Sequence, residues 1–480
     1  MKDLSKIRLF EAIDLIKKQK LKSEELVRYH LELANTKGKD LNAFITVLDD
    51  SIEKAREVDQ KIQEGKKVGL LAGIPCTVKD ILMTKGIRTT AASKILKDFI
   101  APYSATVVEK LEEEGAVIIG KTNCDPFAYG ASGENSGFGP TLNPIDNTRV
   151  PGGSSSGAAA SLAAGIGLFA IGTDTGGSVR QPASLCGLVG LKVTYGRNSR
   201  YGLIAMASSF DTPGILSHTV REAAFIEEII AGKDSKDATT YDLPVENYFK
   251  KLNEIKNLDK VKVGVPKQYF EQGITQDVKQ AVQKTITKMK KNGAEIIDVS
   301  LPILKQGISV YYILVPSEIS SNMARYDGIR FGRKEEDNYM QNLLKTRSKY
   351  LEPEVKRRIM LGTYALSAGY ADEYYKHASR VRVKITREIM ELFKEVDILV
   401  GPTSPFVAFK LGEKSNDPLA MYLADVYTVN ANIAGCPAIS INCGYNKEGL
   451  PIGFQIMSEK FSEAKLLGIA ANTEKIINES

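Results

Sequence analysis

The 480-residue chain is poor in the residues that many catalytic and metal-binding sites use, since it contains three histidines and five cysteines. The cysteines show no Cys-x-x-Cys spacing, which argues against zinc and against a disulfide framework and suits a reducing cytosol. His30 and His377 lie in helical patterns and His218 follows a loop, and none of them lies in a turn motif. The sequence therefore gives little support to a zinc site or to a serine–histidine pair.

Long hydrophobic runs and a strong excess of charge are also missing. The longest weakly apolar stretch, residues 157–172, is mostly alanine and glycine and is shorter than the roughly 20 residues that span a bilayer. Acidic residues interrupt the first 20 positions, which fit neither a signal peptide nor a transit peptide. The net charge of +6 is small, and lysine runs at 17–20 and 288–291 are more typical of solvated helix faces than of an RNA groove. We therefore expect a cytoplasmic protein without membrane contact.

Two segments rich in glycine and serine together indicate a nucleophilic site. Residues 152–157 read Gly-Gly-Ser-Ser-Ser-Gly and carry Ser154, and Ser178 follows 24 residues later at the end of Gly-Thr-Asp-Thr-Gly-Gly-Ser. Between them, residues 158–164 predict a helix with a glycine stop, and residues 166–171 predict a short buried strand. A helix and a strand of these lengths cover similar distances in opposite directions. We therefore expect both serines at the carboxyl edge of one sheet.

A serine hydroxyl is a weak nucleophile unless a base accepts its proton, and the best candidate for that base is Lys79. Residues 73–80 form a short apolar pattern that predicts a strand with Lys79 at its carboxyl end, on the same edge as the serines. A lysine base must be neutral, and burial can lower its pKa from ~10.4 towards ~7 or 8. Because the amine cannot easily reach the nucleophile, we expect Ser154 to relay the proton from Ser178.

The turn before Ser178 also predicts an oxyanion hole. Thr175, Gly176, Gly177 and Ser178 offer successive backbone N–H groups, and the glycines accept unusual dihedral angles. Pro182 is suited to the first turn of a helix, whose dipole favours developing negative charge near Ser178.

Other interpretations of these segments stay open from the residues alone. A flexible linker also contains glycine and serine, although here a helix and a strand pattern follow at once. A phosphate-binding loop requires a Gly-Lys-Ser/Thr ending, which residues 152–157 lack. Cys76, three residues before Lys79, allows a nitrilase-like Cys–Glu–Lys site, but this site leaves the glycine–serine loops without a role.

Three segments combine into a longer pattern. They are Gly-Gly-Ser-Ser-Ser-Gly at 152–157, Asp-Thr-Gly-Gly-Ser-Val-Arg-Gln-Pro-Ala at 174–183 and Gly-Leu-Val-Gly-Leu-Lys at 187–192. This pattern resembles the amidase signature family. The resemblance implies an α/β fold with a large mixed sheet covered by helices on both faces, and a metal-free Ser-cis-Ser-Lys triad of Ser178, Ser154 and Lys79.

Within that family the resemblance is greatest to the glutaminase subunits of tRNA-dependent amidotransferases, and it covers nearly the whole chain. Further segments carry it at 84–90, 149–153, 194–197, 199–202, 357–364 and 421–425. It implies hydrolysis of glutamine and transfer of the ammonia to misacylated Glu-tRNA(Gln) or Asp-tRNA(Asn). It also implies a heterotrimer with two partner subunits, B and C. The partner would bind most of the tRNA and use ATP and Mg, and this chain would hold no cofactor.

The same resemblance implies a set of substrate-binding residues. Arg358 would hold the α-carboxylate of glutamine and Asp425 its α-ammonium, a pairing that selects a zwitterionic amino acid over a plain amide. Tyr129 and Gly130 would line the pocket.

The sequence departs from the pattern of these subunits at a few positions. Cys124, Pro126 and Tyr129 stand where Met, Glu and Met are more familiar, and Asn430 replaces a usual proline. The first three adjoin the expected glutamine pocket. A stand-alone amidase and a non-catalytic scaffold are the rival functions.

The pattern along the chain shows no clean linker and no internal repeat. We predict amphipathic helices over residues 1–65, before the sheet begins, and a single amidase domain over residues 66–480. Within that domain we expect a mostly helical excursion at about 303–395.

Overall fold

A mixed β-sheet forms the centre of the computed structural model, which describes residues 3–271, 273–415 and 417–479. Its strands are β1 (Phe44–Val47), β2 (Pro75–Lys79), β3 (Val117–Thr122), β4 (Ala170–Thr173), β5 (Val189–Lys192), β6 (Pro213–Ser217), β7 (Lys262–Pro266), β8 (Glu295–Val299), β9 (Ile398–Pro402), β10 (Ala438–Tyr445) and β11 (Pro451–Ser458). Across the sheet their order is β1-β3-β2-β4-β6-β5-β10-β11-β9-β7-β8. Parallel pairs, such as β2 with β3 and β4, occur beside antiparallel pairs, such as β4 with β6. The predicted α/β class with a large mixed sheet is confirmed.

Helices lie on both faces of the sheet. They are α1 (Leu9–Lys17), α2 (Ser23–Asn35), α3 (Lys37–Asp40), α4 (Ser51–Gln63), α5 (Thr106–Glu113), α6 (Ser156–Ala163), α7 (Arg180–Cys186), α8 (Val220–Ile230), α9 (Tyr248–Lys251), α10 (Gln276–Lys291), α11 (Gly307–Asn322), α12 (Tyr339–Tyr350), α13 (Pro353–Leu366), α14 (His377–Leu392), α15 (Pro418–Tyr422), α16 (Val429–Ala434) and α17 (Glu463–Asn478). Short 3-10 turns occur at Leu4–Lys6, Lys94–Leu96, Pro126–Ala128, Lys267–Phe270, Pro302–Gln306, Met323–Arg325 and Leu423–Asp425, and a π-helical turn at Asp372–Lys376. Within the described residues no helix is both long and apolar enough to cross a bilayer.

The two faces of β2 meet different surroundings. Successive side chains of a strand point to opposite faces, and Cys76 and Val78 belong to the large apolar core that α1, α5, α8, α10 and α17 cover. Lys79 points to the other face, where α6 packs. A site that joins Cys76 to Lys79 therefore does not form.

The sheet begins earlier in the chain than we predicted. Residues 1–65 contain α1 to α4, but Phe44–Val47 forms the edge strand β1 and pairs antiparallel with β3. The run Phe-Ile-Thr-Val is aromatic and β-branched, which favours a strand. The expectation that only helices precede the sheet is wrong at this segment.

The strand predicted at 166–171 is shifted along the chain. Gly165 and Gly167 have φ of +82° and +77°, which ends α6 and excludes an extended backbone. The Gly167 N–H donates to Nδ1 of His30 (3.2 Å) rather than to a neighbouring strand. β4 starts only at Ala170, where it pairs with β2 and β6.

Residues 303–395 connect β8 to β9. Their regular elements in the described chain are helices, namely α11 to α14 with the short turns beside them. Helix α11 packs against α13 and α14 and carries the adjacent tyrosines Tyr311 and Tyr312. Tyr311 of α11 lies against Gly176, in the turn that follows β4.

Candidate active site

Three neighbouring strands end at one edge of the sheet. β2 runs parallel to β3, with Lys79 opposite Thr122, and parallel to β4, with Val78 opposite Ile171. The carboxyl ends of parallel strands meet at the same edge, where open α/β sheets bind ligands. Lys79 and the turn before Ser178 therefore emerge side by side, as the sequence predicts, and the segment after Thr122 lies beside them.

Lys79 is fully buried and surrounded by hydroxyl groups. Its Nζ donates to Oγ of Ser154 (2.7 Å), Oγ of Ser155 (3.1 Å) and Oγ1 of Thr173 (3.0 Å). Among the described residues no carboxylate lies within ion-pair distance of this amine. Burial lowers the pKa of Lys79 to about 8, although nearby acidic groups such as Asp125 partly oppose the change. The amine is therefore neutral in an appreciable fraction of molecules near neutral pH.

The two serine loops are bonded to each other. The peptide bond between Gly153 and Ser154 is cis, and the N–H of Gly153 donates to Oε1 of Gln181 (3.0 Å). The next N–H, that of Ser155, donates to the carbonyl oxygen of Ser178 (3.2 Å). Ser178 is 7% exposed, and its hydroxyl has no hydrogen-bond partner in the part of the chain that the structure describes. The Ser178 hydroxyl is therefore available to a ligand.

The predicted oxyanion turn presents a row of donors. The backbone N–H groups of Thr175, Gly176, Gly177 and Ser178 have no acceptor within residues 3–271, 273–415 and 417–479. Gly177 has φ of +139°, which favours glycine. At Gly176 a Cβ atom would lie 2.5 Å from the ring of Tyr311, so any side chain there would displace the ring or the turn.

A buried ion pair holds this turn in shape. Arg180 donates to both carboxylate oxygens of Asp174, from Nη2 (2.8 Å) and Nε (2.9 Å). Burial alone would raise the pKa of Asp174, but the interaction with Arg180 has a larger opposite effect and lowers this pKa to about 2. The carboxylate also accepts the N–H of Val179 (3.2 Å). The protein thereby uses the N–H that follows the turn and leaves those within it available.

Arg358 lies in α13 and is 2% exposed. Its Nε donates to Oε1 of Glu354 (2.8 Å). Its Cζ lies 6.0 Å from the ring centroid of Tyr129, 5.2 Å from that of Tyr312 and 5.6 Å from that of Tyr422. Neither Nη atom donates to another described residue, so both are available to a carboxylate ligand.

Asp425 lies at the end of the short 3-10 turn after α15. Its Oδ2 accepts a long hydrogen bond from the hydroxyl of Tyr312 (3.4 Å). Burial raises the pKa of Asp425 to about 7, and Arg358 partly opposes this. Tyr312 therefore lies between a buried cation and a buried carboxyl group.

Arg358 and Asp425 lie next to the serine loops. The hydroxyl of Thr428 lies 2.6 Å from the carbonyl oxygen of Gly176 and 3.1 Å from that of Asp425, and donates to them. Tyr311 packs on Gly176, and the next residue, Tyr312, contacts both Arg358 and Asp425.

Tyr129 and Gly130 occupy different places. Tyr129 is fully buried beside Arg358, and its hydroxyl has no hydrogen-bond partner among the described residues. Gly130 packs against Asp125, because a Cβ at 130 would lie 2.2 Å from Cγ of Asp125. The N–H of Asp125 donates to the carbonyl oxygen of Ser154 (3.2 Å). Tyr129 therefore lines the space near the cation, whereas Gly130 packs behind the Ser154 loop.

The histidines and cysteines take no part in this site. None of His30, His218 and His377 hydrogen-bonds to Ser154 or Ser178 in the described chain. All five cysteines are buried and free, and burial raises the pKa of Cys76 and Cys124. The described residues contain no group of three potential metal ligands.

Several contacts in this site were not predicted from the sequence. Ser155 and Thr173 complete the surroundings of Lys79, and the pairing of β2 with β4 is the signal that could have indicated Thr173. Glu354 lies four residues before Arg358, which is contact spacing on a helix. Tyr311 and Tyr312 have no local sequence signal, since only the packing of α11 brings them to the site.

Comparison with known proteins identifies the family. The Amidase family model matches residues 25–467. The chain belongs to the amidase signature family. It is 48% identical to the A subunit of glutamyl-tRNA(Gln) amidotransferase from Thermoanaerobacter pseudethanolicus, over 98% of this chain and 96% of that relative. It is 51% identical to the protein of the same name from Koribacter versatilis, over 91% of both.

Solved amidase signature structures show the same fold. The crystal structure of the A subunit of glutamyl-tRNA(Gln) amidotransferase from Thermotoga maritima has a TM-score of 0.82 and 39% identity, covering 99% of this chain and 96% of that one. The peptide amidase of Stenotrophomonas maltophilia has a TM-score of 0.83 and 26% identity, covering 99% and 98%. The amidase signature fold thus occurs with different substrates, so the site must decide between them.

Proposed function

We propose that this chain is the glutamine-hydrolysing subunit of a tRNA-dependent amidotransferase. The observation that carries the proposal is the buried pair of Arg358 and Asp425 beside the Lys79–Ser154–Ser178 group. Two opposite charges at one site match the carboxylate and ammonium groups of a free amino acid. The names of the relatives support the same function.

The first step activates the nucleophile. Neutral Lys79 takes the proton of Ser154, and Ser154 takes the proton of Ser178 as the Ser178 hydroxyl turns towards it. Oγ of Ser178 then attacks the side-chain amide carbon of glutamine. The amide oxygen becomes negative opposite the N–H groups of the turn from Thr175 to Ser178, which stabilise it.

The following steps release ammonia and restore the enzyme. The proton held by Lys79 returns through Ser154 to the amide nitrogen, and the C–N bond breaks to give ammonia and a glutamyl ester on Ser178. Water, activated by the same base, attacks the ester and releases glutamate. No redox change and no metal ion enter this sequence.

Substrate recognition uses the charged pair. The two Nη atoms of Arg358 would hold the α-carboxylate, because a guanidinium presents parallel donors to a carboxylate. Asp425 would accept the α-ammonium in its ionised form. Tyr129 would line the pocket.

The fate of the ammonia requires an assembly. We infer a cytoplasmic heterotrimer with two further subunits, B and C, in which a partner binds most of the misacylated tRNA and uses ATP with Mg. Glu-tRNA(Gln) is the acceptor that the relatives' names favour, and Asp-tRNA(Asn) is the alternative.

A stand-alone amidase is the second candidate, because the peptide amidase shares the fold. A plain amide substrate lacks the carboxylate and ammonium groups that a buried cation and a buried carboxyl group would bind. A non-catalytic scaffold is disfavoured, since it has no need of a buried lysine among three hydroxyls.

The test is Ser178→Ala in the assembly purified from the native host. Hydrolysis of glutamine should be lost, whereas amidation of tRNA from free ammonia should continue because ammonia bypasses the nucleophile. Ammonia release and amidated tRNA are measured on the same samples. Glutaminase activity above a trace in the variant would exclude Ser178 as the nucleophile, and absence of any tRNA amidation in the wild type would favour the stand-alone amidase.

A further inference from the structure

We propose that Glu354 is a positioning residue that holds the guanidinium of Arg358 by its Nε edge, so that both Nη atoms face the substrate. The inference rests on the proposed function, in which Arg358 binds the α-carboxylate of glutamine. Glu354 itself does not touch the substrate in this arrangement and acts through Arg358.

The contacts of Glu354 show how the guanidinium is oriented. Glu354 precedes Arg358 by one turn of α13, and its Oε1 accepts the Nε–H of Arg358 (2.8 Å). Its other oxygen accepts from Nη1 of Arg357. A guanidinium has five N–H donors in one rigid plane, so fixing the Nε–H fixes the directions of the four on Nη1 and Nη2. Those four have no acceptor among the described residues.

Burial makes this contact stronger than an ordinary helix-surface pair. The side chains of Arg358 and Glu354 are 3% and 7% exposed, so solvent screens their attraction little. The exposed pair of Lys376 and Asp372 has the same spacing with 59% and 77% exposure. An exposed pair of this kind contributes little to orientation or stability.

The aromatic rings around Arg358 complement the carboxylate. Tyr129, Tyr312 and Tyr422 stabilise the positive charge through their ring faces. A ring face does not occupy the in-plane N–H donors of the guanidinium. The rings therefore keep the cation in the pocket without using the hydrogen bonds that a substrate needs.

Glu354 also contacts the segment that carries the other charge. The hydroxyl of Tyr422 donates to Oε1 of Glu354 (3.4 Å), and Tyr422 stacks on Tyr312 with ring centroids 3.9 Å apart. Tyr422 precedes Asp425 by three residues. One carboxylate thus connects the cationic and anionic ends of the pocket.

The experiment replaces Glu354 by Gln and compares two substrates of the full assembly. Glutamine carries the α-carboxylate, whereas 4-aminobutanamide keeps the amine and the amide but lacks it. For glutamine we expect KM to rise about tenfold, since hydrogen bonds to charged groups are lost or weakened, while kcat stays within about twofold. For 4-aminobutanamide we expect no change in kcat/KM, because its binding does not use Arg358.

The matched control is Glu352→Gln, two residues earlier. Glu352 is also buried, but it accepts from Ser93 Oγ (2.8 Å) and the Lys94 N–H (3.1 Å) and not from Arg358. This variant should leave both substrates unaffected. If Glu354→Gln does not fold, as judged by its Tm, Glu354→Asp keeps the charge but withdraws it from Nε, and the same selective rise in the KM for glutamine is expected.

The outcomes separate this inference from the proposed function. Arg358→Gln should raise the KM for glutamine more than Glu354→Gln does. If Arg358→Gln leaves that KM unchanged, Arg358 does not bind the substrate and the proposed function fails. If Arg358→Gln raises it but the Glu354 variants do not, or if they lower activity equally on both substrates, the positioning role of Glu354 alone is overturned.

Discussion

The role of Lys79 as a neutral base makes a quantitative prediction. Burial brings its pKa from the ordinary 10.5 to about 8, which corresponds to a free-energy difference of about 3 kcal/mol between its two protonation states. With that pKa, roughly a tenth of the molecules carry a neutral amine at pH 7 and about nine tenths at pH 9. The kcat for glutamine should therefore rise about tenfold between these values, with its midpoint near pH 8.

Substitution tests the same base directly. Lys79→Arg keeps a positive charge but cannot lose it at working pH, so it should be nearly as damaging as Lys79→Ala. General-base catalysis contributes typically about 10² to 10⁴ in rate, and both variants should lose at least the lower figure in kcat. Ammonia release at saturating glutamine, measured from pH 6 to 9, gives the rates and the profile.

Lys192 provides the control. It is another fully buried lysine, but its Nζ donates to the carbonyl oxygens of Val193 and Cys436 (2.8 Å each) and to no serine. Lys192→Arg should affect Tm while the shape of the pH profile stays the same. A wild-type kcat that does not change between pH 7 and 9, or a Lys79→Arg variant with kcat within tenfold of wild type, would refute the relay through Ser154.

Two further predictions concern the pocket and the turn. Asp425→Asn should raise the KM for glutamine about ten- to a hundredfold, since a hydrogen bond to a charged group is worth ~1.5 to 3 kcal/mol, but not the KM for 4-carbamoylbutanoate, which lacks the α-amino group. Equal losses of Asp425→Asn on both substrates would remove Asp425 from the pocket. Because the pKa of Asp425 lies at about 7, its carboxyl group is protonated below that pH, and the wild-type KM for glutamine should increase as pH falls through 7. Gly176→Ala places a Cβ 2.5 Å from the ring of Tyr311 and should lower kcat about 10²-fold by displacing an oxyanion donor. Steady-state kinetics would contradict this if kcat stayed within twofold, and an unchanged Tm would exclude general unfolding.

Local patterns explain why much of the serine site was predictable. Lys79 ends a short apolar run, and glycines bracket Ser154 and precede Ser178, so each residue lies where a strand or turn signal places it. Parallel strands present their carboxyl ends together, which brings Lys79 and Thr173 to one edge. The prediction missed the strand at 44–47, although its aromatic and β-branched residues favour a strand. It also placed a strand at 166–169, where the dihedral angle of Gly167 excludes one.

The surroundings of these residues came only from the tertiary structure. The pKa of Lys79 depends on complete burial among hydroxyls that lie 75 or more residues away in the chain. Arg358 and Asp425 are likewise assigned by sequence only through resemblance, because no spacing rule relates them to Ser178.

The sequence by itself determined which groups could react and which strand or turn would carry each of them, since those properties depend on a few neighbouring residues. The tertiary structure decided that Arg358 and Asp425 lie next to the serine loops, through Tyr312 and Thr428. It also decided which charges are buried. Desolvation and orientation arise from contacts between distant segments, and for this reason they set the chemistry of the site only after the chain has folded.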